Sequence, residues 1–165
     1  MGNSRNMWVI EDALSGEPLQ QARSLFEEYA ASLDVDLCFQ GFQRELDTLP
    51  GSYAPPAGRL LVARQDEEVA GCVALRPLDP GICEMKRLYV RPAFRGSGLG
   101  RMLIDRIIQE ARSIGYRQMR LDSLPSMISA IGLYRRLGFR DIPSYGKNPV
   151  DGAVFLELPL GTGAQ

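Results

Sequence analysis

The stretch EMKRLYVRPAFRGSGLG, from Glu84 to Gly100, decides the fold. Its first half predicts a β-strand, Arg91-Pro92 predicts a turn, and three alternate glycines then lead into a helix. Glycine lets the backbone curl without a Cβ clash, so successive N–H groups can point into one concavity at the helix N-terminus. Unpaired amides and the helix dipole favour an anion there, and Arg91, Arg95 and Arg101 add positive charge. The pattern predicts a site for a pyrophosphate.

Other glycine motifs compete with this interpretation. A P-loop needs Lys followed by Ser or Thr at the start of the helix, but Arg101 and Met102 follow the last glycine. A Rossmann fingerprint has the spacing G-x-G-x-x-G, whereas these glycines are spaced G-x-G-x-G. Asp122 nevertheless lies at a suitable distance downstream to hold a ribose. An ordinary glycine turn is the third alternative.

The stretch resembles the acyl-CoA signature of the GNAT N-acetyltransferases, which reads Arg or Gln, two residues, Gly, one residue, then Gly or Ala. Arg95-Gly96-Ser97-Gly98-Leu99-Gly100 matches it. Downstream, residues 133–139 resemble the family's helix that carries a tyrosine and ends at Gly-Phe. The two motifs stand in the family's order, and the resemblance covers residues 8–160. It implies a CoA-dependent N-acetyltransferase.

The fold that this resemblance implies is α/β, with a mixed, mostly antiparallel central sheet of about seven strands, one parallel pair and about four flanking helices. Hydrophobic patterns predict strands at 7–11, 60–63, 69–75, 82–90, 119–121, 139–141 and 153–158, and helices at 15–33, 39–49, 99–114 and 126–137. Residues 76–81 are predicted to break the sheet, and the last strand to form an exposed edge. We expect one domain over residues 7–160, a flexible leader at 1–6 and a frayed tail at 161–165.

Composition excludes several classes of function. The 165 residues carry a net charge of −1, which argues against sequence-independent nucleic-acid binding. No apolar run approaches about 18 residues and no signal-peptide pattern occurs, so we expect no membrane partner and a cytoplasmic location. The three cysteines lack C-x-x-C spacing and histidine is absent, so no metal is predicted. Acid–base chemistry then falls to carboxylates, tyrosines, cysteines or water.

The resemblance implies acetyl-CoA as the co-substrate. The backbone of Leu88, Tyr89 and Val90 is expected to pair with the pantetheine arm like an extra strand. The loop is expected to hold the pyrophosphate through Arg95, Gly96, Ser97, Gly98, Leu99, Gly100 and Arg101. Many family members carry an asparagine seven residues before the tyrosine, and here that position is Met127. Either other residues bind the cofactor at this position, or the helix begins at a different residue than in those family members.

Two residues are candidates for the proton transfers. An alkylammonium group titrates near about 10.4, so a base must remove a proton before the amine attacks a thioester. Glu84 lies at a strand position from which some family members project a glutamate base, and the alternative is an ordinary strand-end carboxylate. Tyr134 matches the family's tyrosine, whose phenol donates to the departing sulfur, and the alternative is a buried helical aromatic. As in the family, a backbone N–H near Leu88 would meet the carbonyl oxygen.

Lys86 and Arg87 are consecutive cations in a predicted central strand. Adjacent strand residues face opposite sides, so at least one should lie beside the cleft. Its partner is either an internal carboxylate such as Asp122 or a carboxylate of the substrate. In the second case Arg87, with Arg76, would fix the acidic group of an amino acid or a similar amino-carboxylate.

The predicted reaction is acetyl transfer to a primary amine of a small molecule, by direct attack in a ternary complex. Two alternatives stay open: a non-catalytic acyl-CoA sensor, and an acetyltransferase that acts on lysines or N-termini of proteins. A homodimer is also predicted, because the family often dimerises.

Overall fold

The computed structural model describes residues 8–33, 41–146, 148 and 150–161. The predicted leader at 1–6, the predicted start of the second helix at Phe39, and all of the predicted tail after Gly161 lie outside these ranges.

Seven strands form one sheet: β1 (Val9–Asp12), β2 (Arg59–Gln65), β3 (Glu68–Asp79), β4 (Ile82–Val90), β5 (Gln118–Ser123), β6 (Arg140–Asp141) and β7 (Val154–Pro159). Their order is β1-β2-β3-β4-β5-β7-β6. β4 and β5 pair in parallel, and all other neighbours are antiparallel. The predicted α/β fold with one parallel pair is confirmed.

Helices cover both faces of the sheet: α1 (Gly16–Ala31), α2 (Phe42–Thr48), α3 (Leu99–Ile114) and α4 (Ile128–Arg136). α3 presents Leu103, Ile107 and Ala111 at helical spacing to one core, which α4 joins through Tyr134. α1 and α2 pack into a second core on the other face. Within the described ranges, no helix has the length and apolar character needed to cross a bilayer.

The break predicted at residues 76–81 comes later than expected. β3 continues through Pro77 to Asp79, and the turn lies at Pro80-Gly81. Proline cannot donate a backbone hydrogen bond, so it is tolerated where a strand has no neighbour on one side. The last pair between β2 and β3 involves Leu75, so beyond it β3 pairs with β4 alone.

The last strand is not an exposed edge, so that prediction is wrong. β7 lies between β5 and β6, and it pairs with β5 along its whole length. The two-residue β6 covers its other side around Leu156 and Glu157. The chain after α4 folds back onto this strand, a long-range pairing that no local pattern signals.

Candidate active site

A cleft opens where β4 and β5 separate. The two strands form only the pairs Ile82–Gln118, Cys83–Met119 and Glu84–Arg120. Beyond them β4 contains a bulge, in which Arg87 (φ +59°) and the next residue together oppose a single residue of β3. A bulge bends its strand and increases its twist, so β4 turns away from β5. The backbone of β4 after Glu84 therefore faces an opening instead of a partner strand.

The opening is a cavity of about 560 Å³. Its walls come from β4, the end of β5, the first turns of α4 and the C-terminal end of α1. Among the predicted site residues it is lined by Lys86, Arg87, Leu88, Tyr89, Val90, Arg95, Gly100, Asp122 and Tyr134. The structure therefore brings together the predicted strand, part of the loop, the phenol and the predicted acceptor-side charges.

The glycine loop links Arg95 to α3. Gly96 and Gly98 have φ values of +80° and +86°, and a Cβ at either position would meet no atom within 4 Å. Glycine is therefore required by the backbone conformation and not by packing. Gly98 is the N-cap of α3, whose first N–H groups have no intrahelical acceptor. An open, positively polarised helix end of this kind suits a phosphate.

The other loop side chains are held by the protein itself. The Ser97 hydroxyl donates to the Phe94 carbonyl over 2.6 Å. Leu99 is buried in the core, and Arg101 forms an exposed ion pair with Asp105. What this part of the loop can offer to a phosphate is mainly backbone N–H groups.

Two arginines flank the end of β4. Arg95 donates through Nε to the Val90 carbonyl over 2.9 Å, and its guanidinium lies 5.9 Å from the centre of the Tyr89 ring. Arg91, expected to add charge for an anion, forms an ion pair with Glu28 of α1 at 2.6 Å. Arg91 therefore connects α1 to the sheet.

Tyr134 lies on the α4 wall, with 6% of its surface exposed. Its ring contacts Phe139, and its hydroxyl makes no hydrogen bond to any residue in the described part of the chain. Burial raises the pKa of Tyr134 above its ordinary value, so the hydroxyl stays protonated and can donate at neutral pH. This is the state that a proton donor to a leaving thiolate requires.

α4 begins one residue later than predicted, because its N-cap is Met127 and not Ser126. The Ser123 hydroxyl lies 3.6 Å from the Met127 sulfur. Ser126 and Ser129 line the cavity beside it, so hydroxyl groups lie close to the position where many family members have an asparagine.

Glu84 lies on the acceptor face, defined here as the face of β4 and β5 that carries Glu84, Lys86 and Asp122. Glu84 is 3% exposed, and its carboxylate is bound by Arg76 at 2.7 Å and by the Tyr145 hydroxyl at 2.9 Å. Glu84 does not line the cavity. Its role as the base is tested by none of these contacts and stays a prediction.

The bulge brings both predicted cations to one face, contrary to the expected alternation. Two nitrogens of Arg87 donate to the two oxygens of Glu45 in α2, at 2.8 and 2.9 Å, and the guanidinium lies over Phe42. The Lys86 Nζ atom lies 4.0 Å from an Asp122 oxygen. Burial is the main cause that lowers the pKa of Lys86. For Arg87 the structure therefore shows an internal ion pair, with Glu45 as the carboxylate.

Sequence reasoning missed three residues of this face. Tyr145 and Asn148 come from the loop between β6 and β7, and Asn148 Nδ2 donates to Asp122 over 2.8 Å. Glu45 comes from α2. No motif marks them, because each is an isolated polar residue that only the tertiary fold brings to β4 and β5. The described part of the chain contains no group of three or more Cys, Asp or Glu residues that could hold a metal ion.

A strand edge facing a cleft, a glycine loop at a helix N-terminus and a protonated phenol in the same cavity define a CoA-dependent acyltransferase. The chain belongs to the acetyltransferase (GNAT) family, because the sequence model of that family matches residues 21–139. Its activity class is therefore CoA-dependent N-acetyltransferase.

Similar proteins agree with this assignment. An uncharacterised N-acetyltransferase of Schizosaccharomyces pombe is 41% identical over 87% of this chain and 90% of its own length. The IAA acetyltransferase of Azospirillum brasilense is 39% identical over 66% of this chain and 72% of its own length. A Klebsiella pneumoniae structure named as an acyl-CoA N-acyltransferase superposes with a TM-score of 0.72 at 28% identity, covering 94% of this chain and 99% of the other.

Proposed function

We propose that this enzyme transfers an acetyl group from acetyl-CoA to a primary amine of a small molecule, by direct attack in a ternary complex. The observation that carries the proposal is the single cavity between β4 and β5. Tyr134 lines it from α4, and the charged residues Lys86 and Asp122 line it from the acceptor face. One cavity can thus hold a thioester between a proton donor and an incoming amine.

The residues present fit acetyl-CoA. Beyond Glu84 β4 no longer pairs with β5, so its backbone at Leu88 to Val90 suits the amide groups of an extended pantetheine arm, and the open N-terminus of α3 suits its pyrophosphate. The Tyr134 hydroxyl would donate to the sulfur as the thiolate departs. A phenol is a weaker acid than a thiol in water, so we expect this donation to strengthen late in the reaction.

The acceptor side of the cavity is bounded by other parts of the chain. Tyr29, Ser32 and Leu33 of the α1 end and Asn148 of the β6–β7 loop line the same cavity. Walls on several sides favour a small acceptor over a folded protein surface. The predicted preference for amino-carboxylates relied on Arg87 and Arg76, and both guanidinium groups bind carboxylates of the chain itself. The proposal is therefore confined to small primary amines.

Ligand-dependent unfolding tests the co-substrate. Acetyl-CoA or CoA at 100 times its dissociation constant should stabilise the protein by about 2.7 kcal/mol. For a chain of this size that corresponds to a rise in melting temperature of roughly 5–11 °C. NAD is the matched negative control. Stabilisation by NAD alone would contradict the assignment.

An acceptor panel tests the second substrate. Amino acids, polyamines, aminoglycosides and lysine peptides are incubated with acetyl-CoA, and release of the CoA thiol is measured. We expect turnover with at least one small amine. Turnover confined to lysine peptides would contradict the proposal, and CoA binding without any turnover would favour an acyl-CoA sensor.

A further inference from the structure

Asp122 is the one carboxylate among the described residues that line the cavity. Glu84 and Glu45 lie on the same face, but each is held by an arginine and neither lines the cavity. A base that removes a proton from the acceptor must reach its amine directly or through one water. Its position in the cavity therefore makes Asp122 the best-placed carboxylate to act as this base.

The contacts of Asp122 leave one of its oxygens available. Asn148 donates to Oδ2 over 2.8 Å, whereas Oδ1 lies 4.0 Å from the Lys86 Nζ atom, beyond hydrogen-bonding distance. Its side chain is 14% exposed. Asn148 therefore fixes the orientation of the carboxylate, and Oδ1 can accept a hydrogen bond from a group in the cavity.

We propose that Asp122 is the catalytic residue that binds the acceptor's ammonium group and removes its first proton. This inference rests on the proposed function. It assigns to Asp122 the task that the sequence predicted for Glu84. In this arrangement Glu84 is a positioning residue that links Arg76 on β3 to Tyr145 in the β6–β7 loop.

Each proton that moves in this step has a donor and an acceptor. Asp122 Oδ1 takes one proton from the R–NH3+ group, and the amine lone pair then forms a C–N bond to the thioester carbon. The C–S bond breaks, and the thiolate takes a proton from Tyr134. The second proton on nitrogen restores the phenol, and Asp122 returns its proton to water. Ammonium and acetyl-CoA thus give an amide, the CoA thiol and one free proton.

The need for a base is large for an ordinary amine. With an amine pKa of about 10.4, only about 1 molecule in 2,500 is uncharged at neutral pH. The ionisable groups that face Asp122 are Lys86 of β4, Tyr29 of α1 and Tyr145 of the β6–β7 loop. Burial raises the pKa of both tyrosines, so neither phenol accepts a proton near neutral pH. Lys86, whose pKa is lowered mainly by burial, is the remaining ionisable group and lies 4.0 Å from Asp122.

Two amine probes of similar shape test the inference. Ethylamine is protonated at neutral pH, whereas 2,2,2-trifluoroethylamine is largely uncharged and needs no base before it attacks. Asp122→Asn keeps an oxygen that can accept the hydrogen bond from Asn148. We expect this variant to lose about 100-fold or more in kcat/KM for ethylamine and to stay within a few-fold of wild type for trifluoroethylamine.

Two further variants serve as comparisons. Glu157→Gln removes a carboxylate of similar exposure that pairs with Arg120 and does not line the cavity, and it should leave both rates unchanged. Glu84→Gln should not change the ratio of the two rates. If Asp122→Asn does not fold, Asp122→Ala assayed with added formate replaces it, and formate should restore the ethylamine rate.

Three outcomes would overturn the inference: equal loss for both amines in Asp122→Asn, no loss for either, or a selective loss in Glu84→Gln. A failure of the proposed function has a different signature, because wild-type protein would then show no stabilisation by acetyl-CoA or would acetylate no small amine.

Discussion

The substitution Tyr134→Phe removes one hydroxyl from the cavity and changes little else. That hydroxyl has no hydrogen-bond partner among the described residues, so its loss leaves no donor or acceptor unsatisfied. We expect the free energy of unfolding to change by less than about 0.5 kcal/mol. A hydrogen bond to a charged thiolate contributes about 1.5–3 kcal/mol, so kcat should fall roughly 10- to 150-fold. The KM for acetyl-CoA should change little, because the bond strengthens only as the thiolate forms.

The assay combines thiol release with thermal unfolding of the same preparations. Tyr116→Phe is the matched control, because Tyr116 is also buried but its hydroxyl donates to the Ala57 carbonyl over 2.7 Å. This control should lose about 1 kcal/mol of stability and keep its kcat. Wild-type kcat in Tyr134→Phe, or a stability loss equal to that of the control, would refute the reasoning and show that Tyr134 is structural.

The same substitution has a pH signature. Burial raises the pKa of Tyr134, so its donor form is present below the ordinary tyrosine pKa of about 10 and is lost only at higher pH. The ratio of wild-type to Tyr134→Phe kcat should therefore be constant between pH 7 and about 9. A ratio that fell towards one across this range would show that the phenol ionises there and is not the donor.

Three further predictions concern the loop, the acceptor face and assembly. Gly98→Asp should abolish acetyl-CoA binding in a thermal-shift assay, because a carboxylate at the N-terminus of α3 would repel the phosphates of the ligand. The variant should still unfold cooperatively. Unchanged affinity for acetyl-CoA in the folded variant would contradict the assignment of the loop. Glu45→Ala should lower the free energy of unfolding, measured with urea, by about 3–5 kcal/mol, because it removes the carboxylate that pairs with Arg87, whose side chain is 3% exposed. Asp47→Ala is the control and should be nearly neutral, because Asp47 and Arg23 form an exposed pair. Equal losses in the two variants would contradict this prediction. The homodimer predicted from the family resemblance would give twice the chain mass of 18.3 kDa in light scattering, and a monomer mass would rule it out.

The strand, loop and helix around residues 84–100 could be predicted because their signals are local. Alternate glycines lead directly into the helix, and the αL residues Gly98 and Gly115 stand at its two ends. Leu103 and Ile107 repeat at helical spacing, and β4 ends in Leu88-Tyr89-Val90, residues that are common in strands. Such patterns depend only on neighbouring residues, so the element types and their order agree with the structure.

The acceptor face could not be predicted in the same way. The position of Arg87 depends on a bulge in the pairing of β4 with β3, and its partner Glu45 is 42 residues away. Tyr145 reaches Glu84 across 61 residues. Pairing and contacts at this distance follow from the tertiary fold. The predicted alternation of Lys86 and Arg87 failed for this reason.

The divergence of β4 and β5 places unpaired strand edges in the interior of the sheet. Exposed edges usually invite intermolecular strand addition and aggregation. Here Tyr29 and Leu33 wall the edge from one side, and Ala130 and Leu133 wall it from the other. A polypeptide strand carries side chains on both faces and would have to place them between these walls, whereas an unbranched chain has none to place. The walls thus oppose strand addition by another protein more than they oppose the entry of a slender ligand.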